Sequence, residues 1–265
     1  MKFESVWLDE DTRLDCYLAD SVDWYTRKAI LVIPGGGYEV VSAQIEGEPI
    51  ALAFIPYGFN AFVLHYSVDR THPYPYQLIQ ASKAMKYIRD HAEEYKMDSE
   101  QVYAVGFSAG GHLCTTLGLQ WNKQEVYDAV PMPYGYNKPK GILPIYPVVS
   151  AGEYAHEGSV MNLLCNTNPT KEQRDSVSME LHVTSDASPA YIVHGASDEC
   201  VPVENSLLLA GAYSKAGVPF ELHIYPKGKH AFGLGNETTD WEGGIHTQEG
   251  ICDWLANAVI WMKTL

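Results

Sequence analysis

The chain has 265 residues, 46% of them hydrophobic and 19% charged, enough for one sizeable domain with a full core, and neither a linker-like stretch nor a run of 18 apolar residues interrupts it. A net charge of −15 disfavours nucleic acid and anionic membranes, whose phosphates call for a basic surface, and makes strongly anionic substrates poor candidates. The five cysteines (Cys16, Cys114, Cys165, Cys200, Cys252) are scattered without a C-x-x-C pair, so they read as thiols of a reducing cytoplasm; the acidic opening MKFESVWLDEDTRLD, with no secretion pattern, points the same way.

In chain order, KFESVWL and TRLDCYLA alternate and carry β-formers, an expected antiparallel pair. KAILVIP (28–34) is a continuous apolar run ending in PGGGY, as a strand buried on both faces would before a tight loop, and NAFVLHY (60–66) repeats the pattern. IEGEPIALAFIPYG between them has helical composition and stops at Gly58, which suggests a crossover between parallel strands. From Pro75 to Met97, the residues Leu78, Ala81, Met85, Ile88 and Ala92 recur at helical spacing. QVYAVGF then reads as a strand and AGGHLCTTLGLQ as a helix of small residues able to pack closely on a sheet.

GILPIYPVV (141–149), PAYIVHG (189–195) and PFELHIYP (219–226) give three more strands, with helical VENSLLLAGAYSKAG before the last and an amphipathic closing helix, ICDWLANAVIWMKTL. Residues 150–187, polar and irregular apart from short helical pieces, read as a small cap inserted over the strand ends. The expected architecture is therefore α/β: one domain over residues 1–265, with a mostly parallel sheet covered by helices on both faces and its site at the carboxyl ends of the strands.

Gly106-Phe107-Ser108-Ala109-Gly110 fits G-x-S-x-G, a strand-turn-helix whose glycines let backbone approach closely while the serine projects its hydroxyl. In a chain with 22 glycines that pattern alone is weak; its position between a β-rich segment and a small-residue helix gives it weight. A serine nucleophile needs a base, and the base needs an acid, in the chain order Ser, acid, His on loops after later strands. PAYIVHGASDECVP places Asp198 just past a strand end, with adjacent Glu199 as the alternative. His230, in YPKGKHAFG after the last strand, is the expected base, and His246 a weaker substitute too close to the closing helix. His112 is expected to pack or to bond backbone, and His194 to support the acid loop. Oxyanion donors are expected from the N–H groups of Gly36, Gly37 and Ala109, and Tyr38 either lines the pocket or packs.

Taken together these residues resemble the bacterial esterase/lipase branch of the α/β-hydrolases that includes acetyl-xylan-esterase-like and feruloyl-esterase-like carbohydrate esterases. The likeness runs from about Lys28 onward and is densest in VIPGGGY, MDSEQVYAVGFSAGGHL and the span from SPAYIVHGASDECVP to YPKGKHAFGL. It implies an α/β-hydrolase fold, a Ser108–Asp198–His230 triad and an oxyanion hole in the Gly35 to Gly37 loop, with no metal or other cofactor. Pro34 stands where hormone-sensitive lipases usually carry the histidine of HGGG, which favours the carbohydrate-esterase-like branch. The expected substrates are small molecules: short acyl esters of carbohydrates. Glycosidic cleavage would need two carboxylates facing one bond, and the sequence shows no such pair. A prolyl-oligopeptidase-like peptidase would need a further large domain, and a binding protein on this scaffold would be expected to have lost a triad residue.

Overall fold

The structure, a computed structural model, describes residues 1–20, 22–243 and 250–265. The entering hairpin is β1 (Lys2–Trp7) and β2 (Arg13–Leu18), followed by β3 (Arg27–Ile33), the short α1 (Ala43–Glu46), α2 (Glu48–Phe54), β4 (Phe59–His65) and α3 (Tyr76–Asp90). Then come β5 (Met97–Phe107), α4 (Ser108–Gln120), α5 (Gln124–Ala129) and β6 (Ile142–Ile145). After α6 (Glu157–Leu164) and α7 (Lys171–Ser176), the chain closes with β7 (Ala190–Gly195), α8 (Glu204–Ala216), β8 (Phe220–Tyr225) and α9 (Trp254–Met262). Eight strands form one sheet in the order β1-β2-β4-β3-β5-β6-β7-β8. β2 runs antiparallel to both β1 and β4, and every pair from β4 through to β8 is parallel. This is an α/β-hydrolase fold.

Strand periodicity explains the two-sided core. On β3, Ala29, Leu31 and Ile33 face one layer, where they join Leu78, Met85 and Ile88 of α3 and Leu113 and Leu117 of α4. Ile30 and Val32 face the other, against Ile50 and Phe54 of α2 and Trp254 and Ala258 of α9. Both faces being covered, the central strands must be apolar throughout, which is why they read as unbroken hydrophobic runs.

Two boundaries differ from the sequence expectation. The helix expected to reach Met97 ends at Asp90: the turn that follows places Lys96 at φ 54°, and Met97 already begins β5. The strand expected over 141–149 pairs only through Ile145, because Tyr146 takes φ 37° and Pro147 brings no N–H for a ladder. Residues 150–187 contain α6, α7 and a single 3₁₀ turn, Met179–Leu181. This segment is tied to the rest by Asn162 Nδ2 donating to Gly37 O (2.9 Å), Tyr74 N–H to Leu163 O (2.9 Å) and Met179 N–H to Val149 O (2.9 Å). No helix among the described residues is long and apolar enough to cross a membrane.

Candidate active site

β5 and α4 meet without a loop, and Ser108 occupies the junction at φ 52°, a left-handed conformation that costs a non-glycine residue on the order of 1 kcal/mol or more. The flanking glycines make the turn possible by closeness of approach. A Cβ on Gly106 would lie 2.2 Å from Gly110 O, and one on Gly110 would lie 2.2 Å from Ile33 O. The serine is 8% exposed.

The loop after β8 brings His230 to it. Gly195 and Gly228 touch backbone to backbone, with a Cβ on Gly195 falling 2.0 Å from Gly228 O, so the histidine loop lies directly on the loop after β7. Ser108 Oγ is 2.8 Å from His230 Nε2, and His230 Nδ1 is 2.7 Å from Asp198 Oδ2. The other oxygen of Asp198 accepts the N–H groups of Cys200 (2.9 Å) and Val201 (2.8 Å). Burial pushes the Asp198 pKa up, but hydrogen bonds from His194 and His230, the His230 charge and the Val201 N–H outweigh it and hold the carboxyl well below the usual carboxylate range.

Glu199, the sequence alternative, is exposed on the cleft wall instead. His194 supports the acid loop: its Nδ1 faces Ser206 Oγ at 2.7 Å, while Nε2 lies 3.0 Å from Val201 O and 3.3 Å from Asp198 Oδ2. His112 is buried between the Tyr38 hydroxyl (2.9 Å from Nδ1) and Val177 O (2.8 Å from Nε2), and burial lowers its pKa to about 4. His246 lies outside the described residues.

PGGGY follows β3 and folds back beside Ser108, with Gly36 at φ 117° and Gly37 at φ 67°. The N–H groups of Gly36 and Gly37 donate to no acceptor among the described residues, and the Ala109 N–H belongs to the first turn of α4, whose amides have no intrahelical partner. Tyr38 is 2% exposed and lines a narrow cavity of about 10 Å³ with His112, Val148 and Ser159. His230 and Ala231 also border an open cleft of about 320 Å³, walled by Ser197, Glu199, Cys200, Lys229, Trp241 and Glu242.

A strained serine, a histidine and a buried carboxylate thus stand in line at the strand ends. The BD-FAE family model matches residues 14–213. The chain belongs to the BD-FAE family. That match includes Ser108, Asp198 and the glycine loop, while His230 lies beyond it, on the loop after β8. A curated relative of this BD-FAE chain, endo-1,4-beta-xylanase B of Butyrivibrio fibrisolvens, is 37% identical over 84% of the chain and 35% of its own length. An acetylxylan esterase of Xylanibacter ruminicola is 29% identical over 86% of the chain and 45% of its own length. The chain thus spans less than half of these two relatives. Among solved structures, it is similar to an acetyl ester-xyloside bifunctional hydrolase from Caldicellulosiruptor lactoaceticus, with TM-score 0.84 and 32% identity over 99% of this chain and 96% of that one.

Two residues that matter to the geometry were not singled out by the sequence. Glu46 sits in a stretch whose helical composition hid one buried acid, and Tyr146 sits in one read as strand. The prolines flanking the latter in P-I-Y-P were the one available hint of a break.

Proposed function

We propose that the protein is a serine carboxylesterase acting on short acyl esters of carbohydrates, foremost acetyl esters. The observation that carries this is the unbroken relay from Ser108 Oγ through His230 to Asp198, with both links at 2.7–2.8 Å, on a serine held at φ 52°. In this reading His230 Nε2 takes the Ser108 proton as Oγ attacks the ester carbonyl, and Asp198 fixes the tautomer and stabilises the imidazolium. The N–H groups of Gly36, Gly37 and Ala109 receive the oxyanion. Collapse passes the proton from His230 to the departing alcohol and leaves an acyl-Ser108. Water then gives a proton to His230 as it attacks the acyl carbon, and collapse returns that proton from His230 to Ser108 Oγ, releasing the acid and restoring the free serine. The relay needs neither metal nor other cofactor.

The carbohydrate preference is supported by the acetylxylan esterase relative and by the cleft beside His230, where the indole of Trp241 and the polar side chains of Glu199, Lys229 and Glu242 suit a sugar leaving group. The acetyl preference is supported by the same acetylxylan esterase relative. Residues 150–187, pinned to Gly37 through Asn162, act as a small cap on the single domain. Five free cysteines fit a reducing compartment such as the cytoplasm.

The test is a substrate panel of 4-nitrophenyl esters of rising chain length, acetylated xylo-oligosaccharides, feruloyl sugars and proline-containing peptides. Acetyl esters are expected to turn over fastest, with rates falling as the acyl chain lengthens, and Ser108→Ala should lose at least about a thousandfold in kcat. Peptide turnover without ester turnover would replace the reading by the peptidase one.

A further inference from the structure

Behind the glycine loop lies a carboxylate that the relay does not use. Glu46, at the end of α1, is 2% exposed. Its Oε2 accepts the Gly35 N–H at 2.8 Å and its Oε1 accepts the Tyr146 hydroxyl at 2.7 Å. Tyr146 is itself fully buried, and its oxygen accepts the Gly233 N–H at 3.1 Å. A continuous chain of hydrogen bonds therefore runs from the loop that borders Ser108 to the loop that carries His230, with each donor directed toward the carboxylate.

The contacts at both ends are close. A Cβ on Gly35 would lie 2.8 Å from Glu46 Oε2 and 2.9 Å from Ser108 Cβ, so a single glycine separates the carboxylate from the serine. The Tyr146 ring packs edge-on against His230, centroids 5.1 Å apart, and against Phe232 at 4.5 Å. Two non-glycine residues on this path hold positive φ, Tyr146 at 37° and Ala231 at 58°. Strain of this kind persists where surrounding structure over-determines it.

A buried carboxylate is an expensive way to hold a backbone loop, because an amide could accept the same N–H without carrying charge. No lysine or arginine pairs with Glu46 among the described residues. Burial raises its pKa against the pull of Tyr146, the Gly35 N–H and the His230 charge. Both oxygens are nonetheless supplied with donors, the pattern that suits the ionised form.

We propose that Glu46 and Tyr146 are a positioning pair that locks the glycine loop to the histidine loop across Ser108, and that the Glu46 charge adds to that of Asp198 in stabilising the imidazolium formed at His230. The inference rests on the Ser–His–Asp reading above. The groups facing Glu46 are Tyr66, Tyr146 and His230. Those facing His230 are Asp198, Glu46, His156 at the start of α6, and Glu199, Lys229 and Glu242 on the cleft.

The test uses 4-nitrophenyl acetate with the wild type, Glu46→Gln, Tyr146→Phe and the double variant, with circular dichroism to establish folding. Glu46→Gln is expected to lower kcat by about tenfold or more with KM within about twofold. It should also move the acid limb of kcat/KM to lower pH, because an anion that favours the charged imidazole is gone. Tyr146→Phe keeps the ring packing and should also lower kcat with KM little changed, and the double variant should be no worse than the poorer single, as expected of one coupled unit. A folded Glu46→Gln with the wild-type acid limb, or with wild-type kcat, overturns the proposal. If Glu46→Gln does not fold, Tyr146→Phe decides, and wild-type kcat there overturns it. Failure of the underlying reading is separately visible, as full activity in Ser108→Ala.

Discussion

That Ser108, Asp198 and His230 come together is legible because the proposed roles leave marks in one dimension: a glycine-flanked serine, then an acid and a histidine on loops after later strands. The choice of Asp198 over Glu199 rested on one position of sequence, and the structure puts the Asp198 oxygen 2.7 Å from His230 Nδ1 with Glu199 out on the cleft. Glu46 and Tyr146, 100 residues apart, leave no such mark, since their link exists only once the sheet is assembled. His112 yields a prediction at this scale. Buried neutral, with its pKa lowered from 6.5 to about 4, it stays unprotonated in the fold while the unfolded chain takes up a proton. Its contribution to stability is complete above pH 6.5 and is lost as pH falls toward about 4, amounting to about 3 kcal/mol at the lower end. His112→Gln can keep both hydrogen bonds without titrating. Urea unfolding across that range should show a shallower decline for the variant than for the wild type, and equal slopes would contradict the assignment.

Elements with a strong period were readable to within a few residues, and the misreadings came at their ends. The apolar spacing runs past the end of α3 because Ala92 continues it beyond Asp90, and the backbone turn that stops the helix carries no proline or glycine to announce it. The sequence does not mark the end of β6 because GILPIYPVV is apolar on both sides of the break at Tyr146. α5 went unrecognised, being six residues long with Val126 its one buried side chain. The junction of β5 and α4 is where local sequence and tertiary packing are tied most tightly. In Gly106→Ala the new methyl would meet Gly110 O at 2.2 Å and Cys114 Cβ at 2.5 Å, backbone and core atoms with no free space to move into. The expected loss is about 2 kcal/mol or more, with activity reduced beyond any loss of folded protein because the serine is displaced. Thermal melts together with kcat check this, and a wild-type Tm would show that the turn is looser than the packing implies.

At the scale of the whole molecule, the sheet order and the parallel crossovers carry loops distant in sequence to one end, so the glycine loop after β3, the serine turn after β5 and the loops after β7 and β8 converge. That convergence follows from strand–helix alternation, and so the location of the site was readable before its details. The cleft beside His230 was not, because its wall is assembled from residues 197, 199–200, 229–231 and 241–242, which share no pattern. Covalent capture reads out whether Ser108 is a nucleophile activated by His230. Incubation with a fluorophosphonate followed by peptide mass spectrometry should find one adduct per chain, on Ser108, absent in Ser108→Ala and formed far more slowly in His230→Ala. An adduct on another residue, or none on a folded and active protein, would mean that Ser108 is not the nucleophile.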